Sequence, residues 1–201
     1  MIPVTQQPEP ADFDRDVRQK GLAWIKKRNL PETGPPPANT PFQSYWTKTT
    51  EQIHERYEGV CAYYSYYIHL SSGAVTTDHF VPKTKEISLV YEWNNYRLAS
   101  LGANRLKRDF MDVLDPFSMQ PETFHLHLLS GKVFVNPNAG FDTQYISLAE
   151  STIARLQLNS HSNSKMRLDF INQYISGEFT SPHLLRVNPF VYFEMQRQGQ
   201  L

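Results

Sequence analysis

Two short β-prone segments, residues 75–80 and 95–99, bracket a polar loop, and the second runs directly into a helical pattern. No other feature narrows the fold as much. Val75, Thr76, Thr77 and Val81 concentrate β-branched residues before Pro82, which cannot donate to a continuing ladder. Residues 82–92 are polar and carry Lys83 and Lys85, as a loop does. Across residues 101–113, Leu106, Phe110 and Val113 recur on one helical face. Strand, loop, strand and helix in that order fold the chain back on itself. The arrangement brings Asp78 and His79, at the end of the first strand, toward Asn95 and toward Asn104 in the helix.

Those four residue types suit one chemistry. Phosphodiester hydrolysis needs a base to deprotonate water, a cation against the developing charge, and stabilisation of the leaving oxygen. An imidazole titrating near neutrality suits the first task. A carboxylate and an amide oxygen are hard donors suited to Mg²⁺ or Mn²⁺, which keep much of their shell for water and phosphate. Adjacent strand residues point to opposite faces, so Asp78 and His79 can serve one site only at a kink or a strand end. Asn104 has a second role open to it as a helix N-cap.

Elsewhere the chain alternates helical and hairpin patterns. Residues 1–10 hold three prolines and read as extended, and Asp12, Asp14 and Asp16 open a helix through Trp24 and Ile25 that Gly21 interrupts. Five prolines and a glycine mark residues 31–41 as a loop or arm. Trp46, Ile53 and Tyr57 predict an amphipathic helix over residues 44–58, ending at Gly59. Residues 60–70, dense in aromatic and β-branched side chains, read as a strand that a turn at Ser71-Ser72-Gly73 pairs with residues 74–80. Gly131 punctuates a second hairpin between residues 123–128 and 132–135. Ser147-Leu148-Ala149-Glu150 has the form of a capping box, and Met166, Phe170 and Tyr174 predict a further helix before Gly177.

Composition limits function more than it selects it. A chain of 201 residues with 40% apolar residues can bury a core, and a single domain is expected. Lys and Arg together number 20, as do Asp and Glu, so no global basic field steers a polyanion here. A local island exists: residues 83–109 hold Lys83, Lys85, Arg97, Arg105, Lys107 and Arg108 against Glu86, Glu92 and Asp109. The lone Cys61 excludes an intrachain disulfide and fits a reducing compartment. The first residues lack a basic and then apolar leader, and no apolar run reaches the roughly 18 residues of a membrane span. A cytoplasmic location without membrane contact is expected.

Asp78-His79, followed by Trp93-Asn94-Asn95-Tyr96-Arg97 and by Asn104-Arg105-Leu106-Lys107, resembles the D-H…N…N pattern of the HNH, or ββα-metal, endonucleases. Tyr57-Glu58-Gly59-Val60-Cys61-Ala62-Tyr63 is similar to the entry of HNH proteins of bacterial defence systems, including retron- and Septu-type nucleases. The resemblance covers roughly residues 57–110. It implies an α+β fold with a ββα-metal core at residues 59–113, preceded by an N-terminal arm and helix (1–58) and followed by a C-terminal hairpin and helices (114–201). It further implies cleavage of DNA with one Mg²⁺ or Mn²⁺ per site. Asp78 and Asn104 would hold the metal, His79 would be the general base, and Asn95 would tie the loop that steadies it, with Asn94 a competitor. Lys83, Arg105 and Lys107 would meet the phosphates. The partners implied are DNA and an ATPase or other defence-system subunit, with a homodimer as a route to double-strand cuts. An inactive binding or scaffold subunit is the alternative. Many relatives carry two C-x-x-C pairs for zinc; here the corresponding positions are Cys61 with Tyr64, and Ser100 with Ala103, so no structural zinc is expected.

Other polar residues have plainer readings. His125 and His127 share a strand face without a third ligand and read as an edge pair. Arg155, Lys165 and Arg167 read as a solvated helix face. Cys61 reads as a small buried apolar residue, and Tyr63 to Tyr67 as packing.

Overall fold

Strand β1 (Val75–His79) pairs antiparallel with β2 (Tyr96–Ser100), placing Thr76 opposite Ala99, Asp78 opposite Arg97 and His79 opposite Tyr96. The computed structural model describes residues 1–201 and is α+β, with seven α-helices and two separate two-stranded antiparallel sheets. Its contacts gather into two compact units. One comprises Gln6–Gly59 and Ile68–Met111, the other Met1–Thr5, Val60–Tyr67 and Asp112–Leu201. No helix is long and apolar enough to cross a membrane.

The first unit surrounds the β1-β2 pair with three helices: α1 (Gln19–Lys27), α2 (Thr50–Arg56) and α3 (Leu101–Lys107). A wide turn over Asp14–Arg18 leads into α1, and a 3₁₀ turn over Tyr45–Thr49 leads into α2. Gly21 does not break α1. The ring of Tyr91 packs where its side chain would be, so that a Cβ there would lie 2.2 Å from ring carbons. Phe13, Ile53, Ile87, Val90, Tyr91, Trp93, Tyr96 and Leu98 form the interior. Glu86 accepts the backbone N–H of Gly34, and Tyr91 donates to the carbonyl of Gln43, so the proline-rich arm is pinned against the loop between β1 and β2.

Ser100 caps α3 by accepting from the N–H of Ala103 at 3.2 Å. The helix is shorter than the pattern over residues 101–113 predicts. At Arg108 the backbone takes φ 49° and ψ −135°, a conformation that no helix continues through and that side-chain-bearing residues rarely adopt.

The predicted strand over residues 60–70 is not one. Only a bridge joins Val60 to Tyr67, and a tight turn closes through Ser65 N–H to the Cys61 carbonyl at 2.8 Å. Cys61, Ala62, Tyr63 and Tyr64 are all buried in succession, so the aromatic density reflects enclosure on every side rather than an alternating strand. The partner of β1 is β2 instead.

The second unit holds β3 (Phe124–His127) and β4 (Lys132–Val135), the hairpin that Gly131 foretold, with four helices: α4 (Thr143–Arg155), α5 (His161–Ile175), α6 (Ser181–Val187) and α7 (Pro189–Arg197). Helix α4 begins a turn before the capping box expected at Ser147, because Asp142 accepts the N–H of Tyr145 at 2.7 Å. Of the three cations expected on a solvated face, Arg155 pairs with Asp112 and Lys165 with Asp169. Arg167 is buried and donates to the carbonyls of Gly131 and Leu158, where helix and hairpin leave acceptors that water cannot reach. Cys61 is buried, and its sulfur accepts from the N–H of Tyr64.

Candidate active site

In the first unit, β1 ends on a cavity of about 370 Å³. Its wall carries Thr76, Thr77, Asp78 and His79 from β1, Asn104 from α3, Arg108 and Asp109 from the turn after it, and Trp46 and Lys83 from the flanking loops. Alternation sends Thr76 and Asp78 to one face of the strand and Thr77 and His79 to the other. Residues of both faces, Asp78 and His79 among them, line the cavity, and just beyond them the strand stops and the chain bends at Phe80.

Each of the four predicted residues has a defined partner. His79 is 6% exposed, its ring edge-on to Trp46 and Tyr96 with centroids 4.8 and 5.0 Å away. Its Nε2 meets the carbonyl oxygen of Val90 at 2.8 Å. A carbonyl only accepts, so Nε2 carries the proton and Nδ1 keeps its lone pair. Burial pushes the imidazole pKa down to about 3; Lys83 and Lys107 add to the fall and the Val90 bond opposes it. The ring is therefore neutral at physiological pH.

Asn95 ties the loop. Its Oδ1 accepts from the N–H of Val81 at 2.8 Å, and its Nδ2 donates to the carbonyls of Val81 and Leu89, both at 3.0 Å. Those bonds fix Leu89 and hence the neighbouring Val90 carbonyl that orients His79. Asn94, the competitor, is exposed and offers its backbone carbonyl to Arg97 instead. The Nδ2 of Asn104 donates to Thr76 Oγ1 at 3.1 Å, and that hydroxyl donates to the carbonyl of Ala99 at 2.9 Å.

The predicted cations separate into three fates. Lys83 is half-buried on the cavity wall, its Nζ 4.3 Å from the centre of the Trp46 ring, and burial lowers its pKa. Arg105 is exposed on α3, away from the cavity lining. Lys107 corrects the expectation that it meets phosphates: it is 0% exposed, with Nζ 3.3 Å from Asp78 Oδ2 and bonded to the carbonyls of His79 and Phe80 at 3.0 and 2.8 Å. The end of β1 presents a buried carboxylate and two carbonyls that need a donor, and Lys107 supplies it.

Sequence reasoning passed over Thr76, Thr77, Trp46, Arg108 and Asp109. Arg108 lies one residue past the end of α3 and is on the cavity wall. Trp46, 32 positions before Asp78, left no local signal of its place. Asp109 accepts from the Thr84 hydroxyl at 2.9 Å.

The donor set fits a hard, weakly caged cation. No group of three or more His, Cys, Asp or Glu gathers into a metal cage. The cavity instead offers the carboxylate of Asp78 and the amide of Asn104, and the Thr77 hydroxyl on its wall is buried without a hydrogen-bond partner. Few protein oxygens and room for water suit Mg²⁺ or Mn²⁺. No model of a known protein family matches the chain, and no curated protein matches it.

Proposed function

We propose that this protein is a metal-dependent endonuclease of the ββα-metal type that hydrolyses DNA phosphodiester bonds. The observation that carries the reading is the common cavity of Asp78, His79 and Asn104, with His79 locked by Val90 in the tautomer that leaves Nδ1 basic. Asp78 and Asn104 would hold one Mg²⁺ or Mn²⁺, which supplies charge stabilisation at the phosphate and at the 3′ leaving oxygen. His79 Nδ1 accepts a proton from water as the water oxygen attacks phosphorus in line with the breaking P–O3′ bond. Asn95 holds the loop, and so the ring, in place. Lys83 and Arg108 flank the cavity and offer positive charge to the phosphate. Burial is the main cause of the low basicity of His79; a phosphate seated beside it would offset only the smaller contribution of Lys83 and Lys107. A role in anti-phage defence follows from the likeness of residues 57–63 alone, and a cytoplasmic setting accords with it.

Nicking of supercoiled plasmid with Mg²⁺ or Mn²⁺ tests the reading: the wild type nicks, and His79→Ala loses the activity. RNA assayed in parallel decides the sugar. A second reading, a binding or scaffold subunit on the same fold, draws on the near-complete burial of His79 and the lysine already paired with Asp78. An inert wild type with every divalent metal and with its genomic neighbours added favours that reading.

A further inference from the structure

We propose that Thr76 is a positioning residue, which fixes the Asn104 amide so that its oxygen, and not its nitrogen, is offered to the cation. The inference rests on the metal-site reading of Asp78 and Asn104 and adds to it the residue that sets the donor.

Donor counting carries the argument. A hydroxyl has one proton, and Thr76 gives it to the carbonyl of Ala99 at 2.9 Å, an atom that cannot donate in return. Toward Asn104, 3.1 Å away, Thr76 Oγ1 can therefore only accept. The amide group facing it must be the NH₂, which turns Oδ1 to the opposite side. Thr76 and Asp78 are two apart on β1 and share a face, with about 6.5–7 Å between equivalent positions. Asp78 and Asn104 both line the cavity, so an amide oxygen turned away from Thr76 is left for a cation shared with the Asp78 carboxylate. Ala99 lies directly across β1 from Thr76 and precedes the Ser100 cap of α3. One hydroxyl therefore links the strand carrying Asp78 to the junction that launches Asn104.

Removing the hydroxyl leaves the amide free to turn its NH₂ toward a divalent ion. Groups that orient metal ligands in this way typically change affinity by about 10–100-fold. The test measures Mn²⁺ binding to the full chain by electron paramagnetic resonance, apart from any activity. Thr76→Val is expected to weaken Mn²⁺ binding about tenfold, while Thr76→Ser, which keeps the hydroxyl, stays within about twofold of wild type. The deciding arm uses Asn104→Asp, whose two carboxylate oxygens need no orienting. In that background Thr76→Val should change affinity little. If circular dichroism shows Thr76→Val unfolded, Thr76→Ala takes its place in the same cycle. Equal Mn²⁺ affinity for Thr76→Val and wild type, with binding lost in Asp78→Ala, overturns the role of Thr76 and leaves the metal site standing. A loss of equal size with Asn and with Asp at position 104 also overturns it, since the effect is then general damage to the strand. A wild type that binds no Mn²⁺ removes the metal site and this inference with it.

Discussion

Replacing Lys107 by Met keeps much of the side-chain length and removes one charge from a place where charge is expensive to leave unbalanced. Asp78 is 3% exposed and Lys107 0%, their charged atoms 3.3 Å apart. Deleting one partner of such a pair costs about 3–5 kcal/mol, because the other is left ionised and desolvated. The carbonyls of His79 and Phe80 lose a donor at the same time. Against a total stability of about 5–15 kcal/mol for a typical domain, that is a large fraction. Urea denaturation in chelator measures it, and Asp78→Asn added to Lys107→Met should return about 2 kcal/mol by removing the uncompensated carboxylate. Mn²⁺ supplies the missing charge if Asp78 is a ligand. At 100 times its dissociation constant it adds about 2.7 kcal/mol to any chain that binds it when folded. It should rescue Lys107→Met, and it should do nothing for the double variant, whose ligand carboxylate is gone. A Lys107→Met cost below about 1 kcal/mol, additive with Asp78→Asn, refutes the buried pair. Rescue by Mn²⁺ of the double variant equal to that of the single refutes Asp78 as the ligand.

Asn95→Ala strips three partly buried hydrogen bonds from the loop and is expected to cost about 2–4 kcal/mol, with faster amide exchange over residues 81–90. Asn95→Asp should be worse still, since it sets a carboxylate against the carbonyls of Val81 and Leu89; equal stability in urea would contradict this account. Gly21→Ala, which in most helices stabilises by about 0.5–1 kcal/mol, should here lower the melting temperature, because its Cβ meets the Tyr91 ring at 2.2 Å. With His79 held at a pKa of about 3 against 6.5 unperturbed, the unfolded chain binds the extra proton, so stability falls as pH drops through that window. In chelator the loss attributable to His79 between pH 7 and 4.5 is roughly 2.5 kcal/mol, and urea titrations of His79→Gln should lack it.

Local patterns were readable wherever one face of an element decided its residues. The hairpin about Gly131 and helix α5 with Met166, Phe170 and Tyr174 follow from periodicity and a terminating glycine. Asp78 and His79 at a strand end could be read because Pro82 limits how far a strand extends. Features set by distant contacts could not. Nothing near Gly21 announces that Tyr91, 70 positions on, occupies the space its side chain would need. Residues 60–67 look β-prone because aromatic side chains suit strands, yet they suit an enclosed turn equally well.

In helix α3 the helical phase separates Arg105 from Lys107, the two cations that the family resemblance implied near the phosphates. Ala103 and Lys107 are four apart and both buried, so they form the inner face. Asn104 and Arg108, again four apart, share the cavity wall, while Arg105 faces away from it. Once Ala103 is assigned to the core, the same spacing sends Lys107 inward to the carboxylate. Arg108, at φ 49°, ends the helix, and both it and Asp109 line the cavity. Under the proposed function, in a protein with no net charge, it is such placement of a few cations that would draw a polyanion to the cavity.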